Sequence, residues 1–212
     1  MPEFIPILLS CLVAYLIGAI PTSVWTGKLL YNIDIREHGS GNAGATNVMR
    51  VLGVKVGIPV LIFDIFKGWA AVQVIHLFPL SDPRTEFMMN IRIVLGICAV
   101  IGHIYPVYAD FRGGKGVATI FGVLLALHPA ATLSAAGIFL LSLFITRYVS
   151  VSSMLAGLSF PVWIMVVYNC PFLSLRLFSM FTALLLILTH HKNIIKLIRG
   201  EEKKANFLFG EK

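Results

Sequence analysis

The sequence predicts an all-α, polytopic integral membrane protein of seven transmembrane helices, with its N-terminus outside and its C-terminus in the cytoplasm. Three observations predict this fold. Of 212 residues, 58% are hydrophobic and only 13% charged, with a mean hydropathy of +0.87, whereas soluble domains run to about half apolar and about a quarter charged. The apolar residues gather into runs near the roughly 20 residues that a spanning helix needs. The Lys and Arg residues fall mostly on one set of connections, which is the bias of cytoplasmic loops.

The first run, 4–27, begins MPEFIPILLS, with no Lys or Arg ahead of the apolar stretch. It therefore reads as a membrane helix and not as a signal peptide with a positive start. The second, 49–78, is long enough to tilt or protrude. It carries Asp64 and Lys67, three apart on one helical face, where pairing offsets the cost of a charge in the membrane. That pair reads first as a structural one that fixes helix packing, and second as support for a site from below. The third run is 86–108. The fourth and fifth, 114–128 and 130–146, are short and hinge at His128-Pro129. The sixth and seventh are 151–169 and 172–190. The chain 1–212 reads as one domain, in which 191–212 is a short cytoplasmic tail.

Orientation follows from charge. Lys28, Arg36, Arg50, Lys55, Arg112, Lys115, Arg147 and the cluster Lys192, Lys196, Arg199, Lys203, Lys204 and Lys212 fall on one side, against Arg84, Arg92 and Arg176 on the other. The first side is the inner one. This bias accounts for the net charge of +7, and no basic run with interleaved aromatics directs it to nucleic acid. Cys11, Cys98 and Cys170 lie far apart in apolar sequence, so neither a disulfide framework nor a zinc site is expected, and the three read as packing residues.

The unusual polar segments all fall on the inner face. The first is His38-Gly39-Ser40-Gly41-Asn42-Ala43-Gly44-Ala45-Thr46-Asn47, followed by Arg50. The second is Phe111-Arg112-Gly113-Gly114-Lys115-Gly116-Val117-Ala118-Thr119. The third is His190-His191-Lys192-Asn193, running on to Arg199-Gly200-Glu201-Glu202. A weaker fourth is Arg147-Tyr148-Val149-Ser150-Val151-Ser152-Ser153. Helices two, four and six would open on this side, each exposing unpaired N–H groups and the positive end of its dipole. Glycines let the backbone approach a ligand. With Arg50, Arg112 and Lys115 added, these segments make an anion pocket. Taken singly, each has a plainer explanation. A glycine-rich loop is usually a turn, a boundary lysine an anchor, a charged tail a solvated or headgroup-facing helix, and an interfacial histidine no catalyst. Their joint occurrence on one face points to a substrate with more than one phosphate.

Several chemistries lack their residues. There is no G-x-S-x-G nucleophile elbow, and no P-loop, because Gly114-Lys115 is followed by Gly116 without the upstream glycine. No aspartate pair on a helix suggests Mg²⁺, and no histidine has an aspartate five residues on. No metal or cofactor is expected.

Ser40-Gly41-Asn42-Ala43-Gly44-Ala45-Thr46-Asn47-Val48-Met49-Arg50 resembles the first signature of the bacterial PlsY-type acyl-phosphate–glycerol-3-phosphate acyltransferases. Gly113-Gly114-Lys115-Gly116-Val117-Ala118-Thr119 resembles their second, and His190, Asn193, Gly200 and Glu202 match their third. The resemblance covers nearly the whole chain. It departs at His191 and Lys196, where the family usually has Arg, so the bidentate fork is lost at both positions. The resemblance implies transfer of the acyl group of a long-chain acyl phosphate to the sn-1 hydroxyl of glycerol 3-phosphate, giving lysophosphatidic acid and phosphate. Acyl-CoA and acyl carrier protein would not serve as donors. It also implies a soluble PlsX-type partner that supplies the acyl phosphate, and a place among the lipids of the bacterial cytoplasmic (inner) membrane with the active site facing the cytoplasm.

An acyl phosphate is already activated, so the enzyme must hold two anions, orient one hydroxyl and stabilise the departing phosphate. On this reading Ser40, Gly41, Asn42, Thr46 and Asn47 cradle one phosphate. Arg50 and Lys115, with Arg112 and Gly114, neutralise and approach the phosphates, and Ser150 or Ser153 adds a hydroxyl donor. His190 and Asn193 position the glycerol backbone, and Glu202 orients cationic neighbours. The hydroxyl proton goes either to His190 or to a substrate phosphate oxygen. Two other classes compete with this reading: an organophosphate or anion transporter, whose helix N-termini would bind cargo, and a non-catalytic scaffold that recruits soluble enzymes through the basic tail. Cysteines introduced within 40–50 and 113–119 are expected to react alike with a membrane-impermeant thiol reagent, both only from the inner side. Labelling from opposite sides would exclude a shared pocket.

Overall fold

The computed structural model describes residues 4–77 and 85–209. Arg84 and Lys212, used above to set orientation, lie outside the described residues, as does residue 78 at the end of the expected second span. Among the described residues there are ten α-helices and no strand. In order they are α1 (Phe4–Gly18), α2 (Thr22–Tyr31), α3 (Ala45–Leu52), α4 (Val54–Gln73), α5 (Glu86–Ile104), α6 (Val117–Leu127), α7 (Pro129–Thr146), α8 (Val149–Val162), α9 (Leu173–Thr189) and α10 (His191–Ile198). Two compact units divide the chain, one up to Leu127 and one from His128.

Four helices are long and apolar enough to cross a membrane: α4 with the tighter turn that extends it to Leu77, α5 extended to Ala109, α7, and α8 extended to Val167. Two bent pairs, α1 with α2 (41°) and α9 with α10 (54°), raise the number to six if each pair is one span. The eleven-residue α6 is a shorter apolar helix. The expected spans are therefore present as apolar helices, with breaks where expectation ran straight through. The run 4–27 is interrupted before Thr22, because Pro21 has no N–H to continue the helix. The run 49–78 begins inside one helix and continues in another, because Gly53 adopts a positive φ of 95° that L side chains avoid. The sixth run contains Pro161 and then a wide turn over Trp163–Val167, closed by the Tyr168 N–H to the Trp163 carbonyl (2.9 Å).

In the first unit, glycines let helix backbones touch. A Cβ on Gly18 would overlap the Ala99 backbone, and one on Gly102 the Tyr15 carbonyl, so α1 lies directly on α5. A Cβ on Gly68 would overlap the Thr119 carbonyl, and one on Gly122 the Ile65 carbonyl, so α4 lies directly on α6. Small residues at such crossings replace the hydrophobic drive that lipid does not supply. Around them Ala14, Ala71, Ile75, Met88, Ile91, Leu95 and Ala99 form one buried cluster. Val24, Ile35, Ala43, Ala45, Val48 and Val60 form another beneath the first polar loop. Arg92, expected among the outer connections, lies within α5 and donates from Nη2 to the Ala126 carbonyl (2.7 Å). It thereby satisfies an end carbonyl of the short helix α6, where water is scarce.

In the second unit, α7, α8 and α9 pack in sequence, and α10 turns away from α9. The chain then returns, and Ala205 donates its N–H to the Arg147 carbonyl (2.7 Å) at the turn between α7 and α8. The Arg147 guanidinium lies 3.6 Å from the centroid of the Phe209 ring. Ala205 and Phe209 of the expected cytoplasmic tail thus lie on that turn.

Substituting Ala for Gly68 is expected to lower the melting temperature of the detergent-solubilised protein by roughly 5 °C or more, as overpacking forces α4 and α6 apart. Gly137→Ala is the control, because a Cβ at Gly137 meets nothing within 4 Å, and its melting temperature should hold or rise slightly.

Candidate active site

The loop 32–44 and the loop 105–116 are joined by one side chain, Arg36. Its Nε and Nη2 grip Asp34 Oδ1 and Oδ2 at 2.9 and 2.7 Å, a bidentate pair. Its Nη1 reaches across to the carbonyls of Ala109 (2.9 Å) and Arg112 (3.4 Å). Lys28 adds a second cation 3.4 Å from Asp34 Oδ2. The Arg36 hydrogen bonds and charge hold the Asp34 carboxyl well below the usual carboxylate range. Because the folded value is the lower one, this contribution to stability is complete above about pH 4 and is lost only as pH falls below that. The second loop needs the clamp, because Asp110 and Phe111 are consecutive left-handed residues (φ 55° and 56°), a conformation that costs energy unless surrounding bonds impose it.

The first loop is shaped from within by Asn47. It is 2% exposed. Its Nδ2 donates to the carbonyls of Ile35 and His38 (3.0 Å each), and its Oδ1 accepts from the Ser40 N–H (2.8 Å). Its amide therefore holds the loop in shape, and the loop presents Ser40, Gly41 and Asn42. Gly39 and Gly41 have positive φ (64° and 74°), and a Cβ on Gly39 would overlap the Asn47 side chain. Ser40 and Gly41 are exposed, while Asn42, Thr46 and Arg50 are half-buried. Thr46 and Arg50 lie on α3, which begins immediately after Gly44.

The second loop returns onto the end of α5. Gly113 donates its N–H to the Ile104 carbonyl (3.1 Å), and Gly114 donates to the His103 carbonyl (3.2 Å). Lys115 is half-buried, Arg112 is exposed, and Gly116 takes a positive φ of 80° just before α6 begins. The expected segments at 40–50 and 112–119 are thus neighbours, tied through Arg36 and exposing backbone, hydroxyl, amide and cationic groups.

The remaining candidates belong to the second unit. Glu202 Oε1 accepts from Ser150 Oγ (2.9 Å) and from Asn193 Nδ2 (2.7 Å). It thereby links the start of α8, α10 and the returning chain. Ser153 is buried and donates to the Val149 carbonyl of its own helix (2.8 Å). His190 is 3% exposed, and its Nδ1 donates to the Leu186 carbonyl (2.7 Å). That bond places a ring proton on Nδ1. His191, Lys192 and Lys196 are exposed. Sequence alone assigns no site role to Asp34, Arg36 or His103, and Thr119 stands in it only as the last residue of the second polar segment. An Asp and an Arg two apart beside the glycine-rich segment, and a histidine inside an apolar span, were the available signals.

A family model described as Glycerol-3-phosphate acyltransferase matches residues 8–200. A glycerol-3-phosphate acyltransferase of Staphylococcus carnosus is 41% identical over 204 residues, covering 95% of this chain and 99% of that protein. One of Chlorobaculum tepidum is 43% identical over 219 residues, covering 92% and 94%. A crystal structure of PlsY (YgiH), an integral membrane glycerol 3-phosphate acyltransferase in its glycerol 3-phosphate form, is similar with a TM-score of 0.81 at 31% identity, covering 96% of this chain and 97% of that one. The lysphosphatidic acid form of PlsY gives 0.78 at 30% identity, covering 96% and 98%. The chain belongs to the glycerol-3-phosphate acyltransferase family of PlsY type, and is an integral membrane enzyme.

Proposed function

We propose that the enzyme transfers the acyl group of a long-chain acyl phosphate to the sn-1 hydroxyl of glycerol 3-phosphate, releasing lysophosphatidic acid and phosphate. The observation that carries this reading is the pair of glycine-containing loops clamped by Arg36, with Gly114 of the second loop lying against the Ala43 carbonyl of the first. Such a pair of loops suits phosphate, because it carries hydroxyl, amide and cationic side chains of the kinds that bind that group.

The chemistry asks little more of the protein. A mixed anhydride already carries a good leaving group, so the alkoxide equivalent of glycerol 3-phosphate can attack the carbonyl carbon directly. The bond from that carbon to the phosphate oxygen then breaks, and phosphate departs with the electron pair. Arg50 and Lys115 counter the charge that grows on the departing phosphate. The Ser40 hydroxyl and the Asn42 side chain fix its position, and Arg112 supplies further positive potential. Asn47 acts through the loop it shapes. In the unit from His128 onward, His190 and Asn193 address the glycerol backbone. Ser150, Ser153 and Glu202 keep Asn193 and the start of α8 in place. The hydroxyl proton passes to His190 or to a substrate phosphate oxygen. The crystal forms of PlsY with glycerol 3-phosphate and lysphosphatidic acid support acceptor and product of this class.

The reading includes seven spans with the N-terminus outside and cytoplasm-facing loops in the inner membrane of a bacterium, and the positive-inside bias supports that orientation. It suits an acceptor and an acyl phosphate drawn from the cytoplasm, the latter from a PlsX-type soluble enzyme. Purified protein given palmitoyl phosphate, palmitoyl-CoA and palmitoyl carrier protein in turn with glycerol 3-phosphate is expected to form product only from the first. Lys115→Ala should lie near background. Equal turnover with palmitoyl-CoA would overturn the donor assignment.

A further inference from the structure

Beneath the second loop lies a buried polar cluster with no part in the chemistry above. Asp64 and Lys67 of α4 are each 2% exposed and pair at 2.6 Å. Lys67 Nζ also donates to the Ile20 carbonyl (2.9 Å), at the break between α1 and α2, and Thr22 Oγ1 donates to Asp64 Oδ1 (3.2 Å). His103, near the end of α5, is 6% exposed, with Nδ1 3.8 Å from Asp64 Oδ1 and 3.1 Å from Thr119 Oγ1 on the first turn of α6. A small cavity runs among Ser23, Asp64, Lys67, His103, Gly113 and Gly114. The buried Ser23 hydroxyl on its wall has no hydrogen-bond partner among the described residues.

His103 touches the loop at both ends. Its carbonyl receives the Gly114 N–H, its ring meets the Thr119 hydroxyl beyond Gly116, and a Cβ on Gly114 would overlap that ring. Buried ion pairs add little to stability beyond what apolar side chains of the same volume would give. Directional bonds supply something apolar packing cannot, which is a fixed register for the groups they hold. Here that register is the height and twist of the segment carrying Gly114 and Lys115.

We propose that Asp64, Lys67, His103 and Thr119 form a positioning bracket for acyl transfer, setting the geometry of the 113–116 loop from below without touching substrate. This inference rests on the reading that the loop holds phosphate. His103 is the hub. Asp64 orients its ring, Lys67 and Thr22 fix Asp64, and Thr119 carries the constraint into α6.

The test uses full-length, detergent-solubilised enzyme with whichever donor the wild type accepts. Thr119→Val keeps the side-chain shape and removes the hydroxyl. It is expected to lower kcat about tenfold, the size of one well-placed hydrogen bond. Thr119→Ser restores the hydroxyl and should stay within about twofold of wild type. Both should keep the wild-type melting temperature to within a few degrees. A purely structural role would move melting temperature and activity together and would not be rescued by serine. His103→Asn gives a second route if the valine variant does not fold, again with about a tenfold or larger loss. Folded Thr119→Val and His103→Asn proteins both within about twofold of wild type, beside an inactive Lys115→Ala, would overturn the bracket and leave the phosphate reading standing. Full activity in Lys115→Ala would remove the phosphate reading and the bracket with it.

Discussion

The constraint on which the site depends is the grip of Arg36 on two chain segments more than seventy residues apart in sequence. One guanidinium satisfies a carboxylate on its own loop and two backbone carbonyls on the other. A flexible lysine could not span both with fixed geometry, because it lacks the planar fork. Without the clamp, the left-handed turn at Asp110 and Phe111 would lose the side-chain bonds that tie it to the first loop. Burial makes the contact count: the Arg36 side chain is 10% exposed and Asp34 14%, so water competes poorly for either group.

Such a clamp suits the proposed donor, a substrate that brings its own activation. Where the donor is an anhydride, most of the barrier is lowered by holding two charged molecules in register and by meeting charge as it develops. The protein then needs a rigid, cation-lined surface and has no call for an elbow serine or a metal. The architecture follows that demand. Glycines bring α4 onto α6 and α1 onto α5 at backbone contact, so the loops sit on helices that cannot slide. Asn47 and His103 then tie each loop to its supporting helix.

Much of this was legible in the chain. Apolar runs marked the helices, because lipid requires long uninterrupted stretches. The glycine-rich polar segments stood out because lipid-facing sequence has no other use for them, and Asp64 and Lys67 announced their pairing by spacing alone. The breaks were less visible. Pro21 and Gly53 are single residues inside apolar runs, and hydropathy averages over them. The individual tasks of polar residues were less visible still. Asn47 reads from sequence as one more donor in a cradle, and only its three bonds to loop backbone reveal that it builds the cradle. Glu202 likewise reads as a partner for cations, and only the structure shows that its Oε1 also accepts from Ser150 and Asn193. Contacts between residues distant in the chain, such as Arg36 with Ala109, leave no periodic trace.

The central claim is that the enzyme works by holding two phosphorylated molecules and forms no bond to the acyl group itself. Exchange of radiolabelled inorganic phosphate into palmitoyl phosphate, followed in the absence of glycerol 3-phosphate, tests this directly. Direct transfer predicts no exchange above the rate without enzyme, since phosphate cannot leave until the acceptor attacks. Exchange at a rate comparable to turnover would require an acyl-enzyme intermediate and would contradict the account.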